Sequence, residues 1–243
     1  MFGIDTFVPI TQARLDTARR RLGMTPLFWA RYFKRPGFAE DFQPRAEAKI
    51  LRDNRIRLLP IARQTRNVAG TAAQGAADAI ENVEAFVQAM GEEHLAGVKS
   101  ELLMFLDVEG TGTDHPNLSV DYYIGWSSSL VRHSLAISEG RFTVQPAVYC
   151  RQNQPTTWRA LIEAQRLGFP CEGGWVFRMR GGACTRPNPD WEPAFLMPAD
   201  PLPFPVMIWQ YAIDCDEIDY DWINPDLEVE ESLLGRLAIP GPV

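Results

Sequence analysis

Short apolar runs alternate with segments of helical periodicity along most of this chain, and this alternation restricts the possible fold more than any other feature. The apolar runs of strand length lie near residues 3–7, 27–33, 55–62, 102–109, 143–150, 173–179, 206–212 and 217–222. Helical patterns separate the first six runs from one another. Residues 181–205 instead carry seven prolines, which predict a long irregular loop.

Five strand–helix units followed by three strands make eight strands. Eight mostly parallel strands with right-handed crossovers close into a barrel, and such barrels commonly reach ~250 residues as one domain. The 243-residue chain shows no change of composition that would mark a second domain. We therefore expect an α/β fold, a single TIM-type barrel, (β/α)5 followed by three strands, over residues 1–224. Residues 225–243 are expected to form an acidic tail that packs on the barrel or trails it. A doubly wound sheet is the alternative, but no GxGxxG follows the first strand.

The net negative charge of the chain makes some classes of binding partner improbable. The chain has 24 Lys and Arg against 31 Asp and Glu, a net charge of −7, and no basic block, so we expect no nucleic-acid partner and no membrane partner. No stretch approaches the ~20 apolar residues of a membrane helix. The first ten residues show no secretory signal, and the sequence leaves the localisation open. A monomer is the simplest expectation for the oligomeric state, which the sequence does not set.

Cysteine and histidine are too scarce and too scattered for an obvious metal site. The four cysteines, at positions 150, 171, 184 and 215, include no CxxC pair, and the three histidines include no HExxH. We expect four reduced thiols, with a single disulfide such as Cys171–Cys184 as the alternative. We also expect no metal and no cofactor.

Carboxylates mark the carboxyl ends of several predicted strands, which is where barrel enzymes carry their active sites. The first strand carries Asp5, and the segment after the seventh strand carries four aspartates, among them Asp219. Asp107 and Glu109 are two residues apart on the fourth strand, so both side chains lie on one face with Cα atoms ~6–7 Å apart. Two carboxylates in an otherwise apolar strand are tolerated only at the mouth of the barrel.

Paired carboxylates at this spacing are typical of glycoside hydrolases. One of the pair donates a proton to the leaving oxygen, and the other stabilises the oxocarbenium-like centre or attacks it. The same pair could instead bind Mg²⁺ for phosphoester chemistry. His115, in the loop after Glu109, is expected to be a solvated loop residue.

Three motifs are similar to those of the family 25 glycoside hydrolases, the barrel lysozymes or muramidases. They are GIDTF at the start, MFLDVE on the fourth strand and IWQYAIDCDEIDYD near the end. RYF at 31–33, GxxDAxxN at 75–82 and YYIGW at 122–126 look more like a related bacterial family of glycoside-hydrolase-like barrel domains. The resemblance runs from residue 3 to about residue 224, although 173–205 does not follow the pattern of the lysozymes.

The resemblance assigns roles by motif position. It implies that Glu109 is the general acid, that Asp107 is its partner, and that Asp5 and Asp219 are further catalytic residues. Aromatic residues bind the apolar faces of sugar rings. We therefore expect Trp209, Tyr211 and Tyr149 among the substrate-binding residues, together with Gln210 of the WQY motif and Arg31, the last paired with a carboxylate at the rim.

These observations predict a glycoside hydrolase that acts on peptidoglycan-like N-acetylated polysaccharide, with either a covalent or a substrate-assisted mechanism. Such a substrate implies action at the cell envelope or outside the cell. A non-catalytic carbohydrate-binding barrel is the first alternative. A metal-dependent phosphodiesterase is the second, weakened by the scarcity of histidine.

Overall fold

The structure is a computed structural model that describes residues 1–185 and 187–242. Eight strands, hydrogen-bonded in chain order, form one closed barrel, which confirms the predicted α/β barrel. The strands are β1 (Phe2–Asp5), β2 (Phe28–Phe33), β3 (Arg57–Ala62), β4 (Glu101–Val108), β5 (Thr143–Arg151), β6 (Gly174–Phe177), β7 (Val206–Ala212) and β8 (Asp219–Ile223). All eight lie close to the positions that the apolar runs predict.

Helices cover the outside of the barrel. The longer ones are α1 (Gln12–Leu22), α2 (Pro44–Asp53), α3 (Ala72–Met90), α5 (Val120–Ile137) and α6 (Pro155–Arg166), and the shorter ones are α4 (Glu92–Ala96), α7 (Pro193–Leu196) and α8 (Val229–Ser232). The proline-rich segment after β6 thus contains one helical turn, α7, where we predicted only irregular structure. Within the described ranges, no helix is both long and apolar enough to cross a membrane.

The last strand runs against the direction of the others. Strands β1 to β7 pair in parallel, whereas β8 pairs antiparallel with both β7 and β1. A parallel connection needs a crossover of a dozen or more residues, and only residues 213–218 link β7 to β8. The chain therefore reverses in a tight turn, in which Asp214, Asp216 and Glu217 adopt positive φ angles. The predicted strand is present, but its direction differs from a standard barrel.

Strand β4 shows how the apolar layers divide. Its alternate residues Leu103 and Phe105 pack inside the barrel, and Leu102, Met104 and Leu106 pack against the helices. A strand that is covered on both faces needs apolar side chains on both faces, which explains the nearly continuous apolar run of β4. Asp107 is the next alternate residue after Leu103 and Phe105, so its carboxylate also points to the inside of the barrel.

The GxxDAxxN and YYIGW motifs join helices α3 and α5 to each other and to β2. A Cβ at Gly75 would lie 2.2 Å from the Tyr122 carbonyl oxygen, so only glycine permits this approach. The Asn82 side chain accepts a hydrogen bond from Trp126 Nε1 (3.0 Å) and donates one to the Phe33 carbonyl (2.8 Å). These motifs therefore serve packing on the outside of the barrel.

Residues after 224 close the end of the barrel opposite the strand-four carboxylates. Leu233, Leu234 and Leu237 pack with the apolar residues of the barrel interior. The Leu58 amide, at the start of β3, donates a hydrogen bond to the Ala238 carbonyl (2.8 Å). The tail is therefore packed on the barrel, while a domain boundary at residue 224 stays a prediction.

The cysteine prediction is wrong. Cys184 and Cys215 form a disulfide, with Cα atoms 5.3 Å apart, that joins the proline-rich loop to the β7–β8 turn. Cys171 is instead a buried free thiol, as is Cys150. The two bonded cysteines are 31 residues apart in sequence, and only the folding of both loops to one end of the barrel brings them together.

Candidate active site

A cavity of about 80 Å³ opens at the carboxyl ends of the parallel strands. Its lining consists of acidic, aromatic and amide side chains: Asp5, Tyr32, Ile61, Asp107, Glu109, Tyr149, Trp175, Gln210 and Asp219. Six of these nine were predicted as site residues from the sequence. The cavity therefore collects carboxylates from β1, β4 and β8, which are far apart in the chain.

A single amide connects the carboxylates of β1 and β8. Asp5 and Asp219 are directly opposite each other in the antiparallel pairing of these strands. Gln210 Nε2 donates to Asp5 Oδ2 (2.8 Å) and to Asp219 Oδ2 (3.2 Å), and Gln210 Oε1 accepts from the Tyr149 hydroxyl (2.6 Å). This network holds both carboxylates in place and uses both N–H groups of the Gln210 amide.

The two carboxylates of the fourth strand occupy different depths. Asp107 is buried and accepts a hydrogen bond from Thr65 Oγ1 (3.1 Å). Burial, and then the charge of Glu109, raise the pKa of Asp107 to about 7. The Glu109 side chain is 33% exposed, and its Oε2 lies 3.3 Å from His115 Nδ1. The pair therefore combines a buried member that holds a proton near neutral pH with a member that faces solvent.

The loop histidine is placed beside the site. We expected His115 to be a solvated loop residue, and its side chain is indeed 41% exposed, but it also contacts Glu109. The loop after β4 folds back and places His115 beside Glu109.

Below the cavity lies one further carboxylate. Asp221 is fully buried and accepts a hydrogen bond from Trp175 Nε1 (2.9 Å). Burial and the charge of Asp219 raise the pKa of Asp221 well above its usual range, and burial likewise raises the pKa of Asp5. Burial raises the pKa of Asp219 to about 6. Neighbouring carboxylates without a paired cation thus keep protons to higher pH than isolated ones.

Tyr32 and Thr65 are site residues that we did not predict. Burial and the nearby carboxylates raise the pKa of Tyr32 and of Tyr149, so both phenols stay protonated and can donate hydrogen bonds. Tyr32 lies near the end of β2 on the face that points into the barrel, and the alternation of residues along this strand could have identified it as a site residue. Thr65 lies in the loop after β3, where no local pattern points to the site.

Two predicted sugar-binding aromatics face away from the cavity. Trp209 and Tyr211 are fully buried between β7 and the proline-rich loop, so they offer no surface to a sugar. Trp209 Nε1 donates to the Arg178 carbonyl (2.9 Å), and the Tyr211 hydroxyl donates to Asn188 Oδ1 (3.0 Å). They share a face, as predicted, but it is the outer one, and Gln210 between them faces inward.

Arg31 also lies outside the cavity. It is fully buried and pairs with Glu47 of α2, with Nε 2.8 Å from Oε2, and not with a carboxylate of the rim. An unpaired guanidinium at this depth would be very costly, which explains the partner. Of the two roles that the sequence allowed, the structural one fits this position.

Within the described residues, no group of three or more His, Cys, Asp or Glu side chains is arranged to hold a metal ion. Asp5, Asp107 and Asp219 accept hydrogen bonds from Gln210, Thr65 and the Asp214 amide, the last at 2.7 Å from Asp219 Oδ1. At least one oxygen of each of these three carboxylates is therefore occupied by a protein donor.

Comparisons with known proteins reveal similarity in structure only. No protein-family model matches the chain, and neither does any curated protein sequence. An uncharacterised protein from B. stearothermophilus is 20% identical, with a TM-score of 0.72 over 98% of this chain and 99% of that one. A muramidase from Acremonium alcalophilum is 16% identical, with a TM-score of 0.54 over 97% of each chain.

The catalytic domain of the endolysin ply40, from bacteriophage P40 of Listeria monocytogenes, is also similar. It is 15% identical, with a TM-score of 0.55 over 97% of this chain and 98% of that domain. At such low identities the similarity shows the fold alone. The chain thus has a barrel of the kind that a muramidase and an endolysin catalytic domain also have.

Proposed function

We propose that the protein is a glycoside hydrolase that acts on peptidoglycan-like N-acetylated polysaccharide. The observation that carries the proposal is the pairing of Asp107 and Glu109 at different depths in one cavity with Asp5 and Asp219. Glycoside hydrolysis needs one carboxyl group that holds a proton and a second group that supports positive charge at the anomeric carbon. The shared barrel of a muramidase and an endolysin catalytic domain favours wall polysaccharide as the substrate.

In this proposal Glu109 donates the proton, because it is the member of the pair that an incoming glycan can reach. Asp107 holds a proton up to a pH of about 7; this proton passes to Glu109, and Glu109 delivers it to the glycosidic oxygen as the C–O bond breaks. Asp107, left as an anion, stabilises the positive charge or attacks the anomeric carbon. Water then completes hydrolysis and returns a proton to the pair.

The size of the cavity favours the substrate-assisted variant. Pockets that enclose a drug-sized ligand measure ~300–1,000 Å³, so a cavity of about 80 Å³ is too small to enclose a whole sugar unit. We infer that the glycan lies across the mouth and inserts one small substituent. The acetamide of an N-acetylated sugar has this size, and its oxygen can attack the anomeric carbon while Asp107 or Asp219 stabilises the cation.

The same small cavity supports one other function, a non-catalytic carbohydrate-binding barrel, in which the glycan stays on the surface. Incubation of the protein with purified bacterial cell wall separates the two functions. The release of reducing ends, lost in Glu109→Gln, supports the hydrolase. Binding to the wall without any release supports the binding barrel, and the absence of both overturns the proposal.

A further inference from the structure

The buried ion pair between Arg31 and Glu47 joins two loops at the mouth of the barrel. Both side chains are completely buried, and their oppositely charged atoms approach to 2.8 Å. The loops are residues 6–11, between β1 and α1, and residues 34–43, between β2 and α2. Each loop follows the carboxyl end of a strand that also contributes a residue to the cavity.

The first loop is held at several points. Arg31 Nη1 donates to the carbonyls of Thr6 (3.0 Å) and Phe7 (3.2 Å), and Glu47 Oε2 accepts from the Ile10 amide (2.7 Å). The Thr6 hydroxyl accepts from Trp29 Nε1 (3.0 Å) and donates to the carbonyl of Val8 (2.8 Å). The backbone of this loop is therefore fixed on both sides of Phe7.

The second loop is held by the remaining atoms of the same pair. Arg31 Nη2 lies within hydrogen-bond distance of the carbonyls of Glu40 (3.3 Å) and Asp41 (3.4 Å). Glu47 Oε1 accepts from the Gln43 amide (2.7 Å). A buried ion pair is rarely a net source of stability, so this one is better explained by the geometry that it imposes.

The fixed first loop presents an aromatic ring to solvent. The Phe7 side chain is 56% exposed, and among residues 1–185 and 187–242 no other Phe, Tyr or Trp is exposed. Phe7 follows the cavity residue Asp5 by two positions, so their Cα atoms are at most ~7 Å apart. Because the backbone at Phe7 is already fixed, less conformational entropy is lost when a ligand binds at this position.

We propose that Phe7 is a sugar-stacking residue that binds the apolar face of a pyranose ring next to the cavity, and that the Arg31–Glu47 pair positions it. An aromatic face covers the C–H surface of a sugar and sets the orientation of the ring. This assignment rests on the proposed function, because it identifies the ligand as the glycan strand that Glu109 and Asp107 would cleave.

The test compares Phe7→Ala, Phe7→Trp and the control Leu167→Ala, which removes a similarly exposed side chain at the opposite end of the barrel. Rates of reducing-end release from soluble wall glycan give KM and kcat. Affinity for a hexamer of N-acetylglucosamine is measured by calorimetry in the Glu109→Gln background. Phe7→Ala should raise KM and weaken hexamer binding about tenfold with kcat changed less than about twofold, whereas Phe7→Trp should restore binding.

The positioning role of the ion pair has its own variant. Arg31→Lys keeps the charge and removes most of the donors to the loop carbonyls, so it should raise KM as Phe7→Ala does. If Arg31→Lys does not fold, the Phe7 variants decide the proposal alone. An active wild type whose KM and hexamer affinity are unchanged in Phe7→Ala overturns the stacking role but leaves the proposed function intact. A wild type that neither binds nor cleaves glycan overturns both.

Discussion

Replacement of Asp107 by Asn should make the protein more stable at alkaline pH while it abolishes activity. Asn is nearly the same size, can accept the Thr65 hydroxyl hydrogen bond, and carries no charge. Asp107 is buried, so its ionised form is poorly solvated, and burial raises its pKa from 3.8 to about 7. The variant removes this penalty together with the group that we propose stabilises positive charge.

The magnitude follows from the interval between the two pKa values. Between pH 3.8 and about 7, the unfolded chain has released the Asp107 proton and the folded protein still holds it. Folding therefore takes up a proton in this window, and the free energy of unfolding falls by about 1.4 kcal/mol per pH unit. The total loss attributable to Asp107 is about 4 kcal/mol, complete above pH 7 or so.

Urea unfolding of the wild type and Asp107→Asn at pH 4, 6 and 8 measures this effect. The stability of the variant relative to the wild type should rise by about 4 kcal/mol from pH 4 to pH 8. Asp226→Asn, which removes an exposed carboxyl group at the opposite end of the barrel, serves as the control. A stability difference that stays constant across this range would refute the assignment of a retained proton to Asp107.

Four other predictions concern the site and the packing that surrounds it. Glu109→Gln should lower kcat about 100-fold or more in reducing-end assays without loss of glycan binding, because the transferable proton is gone. The pH–activity profile should fall as the pH rises through about 7, where Asp107 loses the proton that the reaction needs; activity maintained at pH 9 would contradict this. Loss of the disulfide in Cys184→Ser/Cys215→Ser, whose sequence separation is 31 residues, should lower the free energy of unfolding by up to about 4 kcal/mol in urea, and added reductant should destabilise only the wild type. Glu47→Gln leaves the Arg31 guanidinium buried without a counter-charge and should cost about 3–5 kcal/mol in the same assay; a cost below about 1 kcal/mol would show that the pair is not effectively buried.

Much of the barrel and the central carboxylate pair could be predicted from the sequence because they depend on short-range periodicity. The nearly continuous apolar run of β4 identifies a strand covered on both faces. The two-residue spacing predicts Asp107 and Glu109 on one side of the chain; β4 ends at Val108, and Glu109, one residue further on, still lines the cavity with Asp107. Asp5 and Asp219 could be added because strand ends meet at one rim once the barrel closes.

The remaining features were decided by contacts between distant residues. On β7 only Gln210 interrupts an apolar and aromatic run, so the pattern could not show that Gln210 faces the cavity while Trp209 and Tyr211 face the outer layer. The Cys184–Cys215 disulfide joins residues that meet only because two loops fold to the same end of the barrel. Periodicity reports the neighbours of a residue along the chain, but closure of the barrel determines which face of a strand points inward and which loops touch.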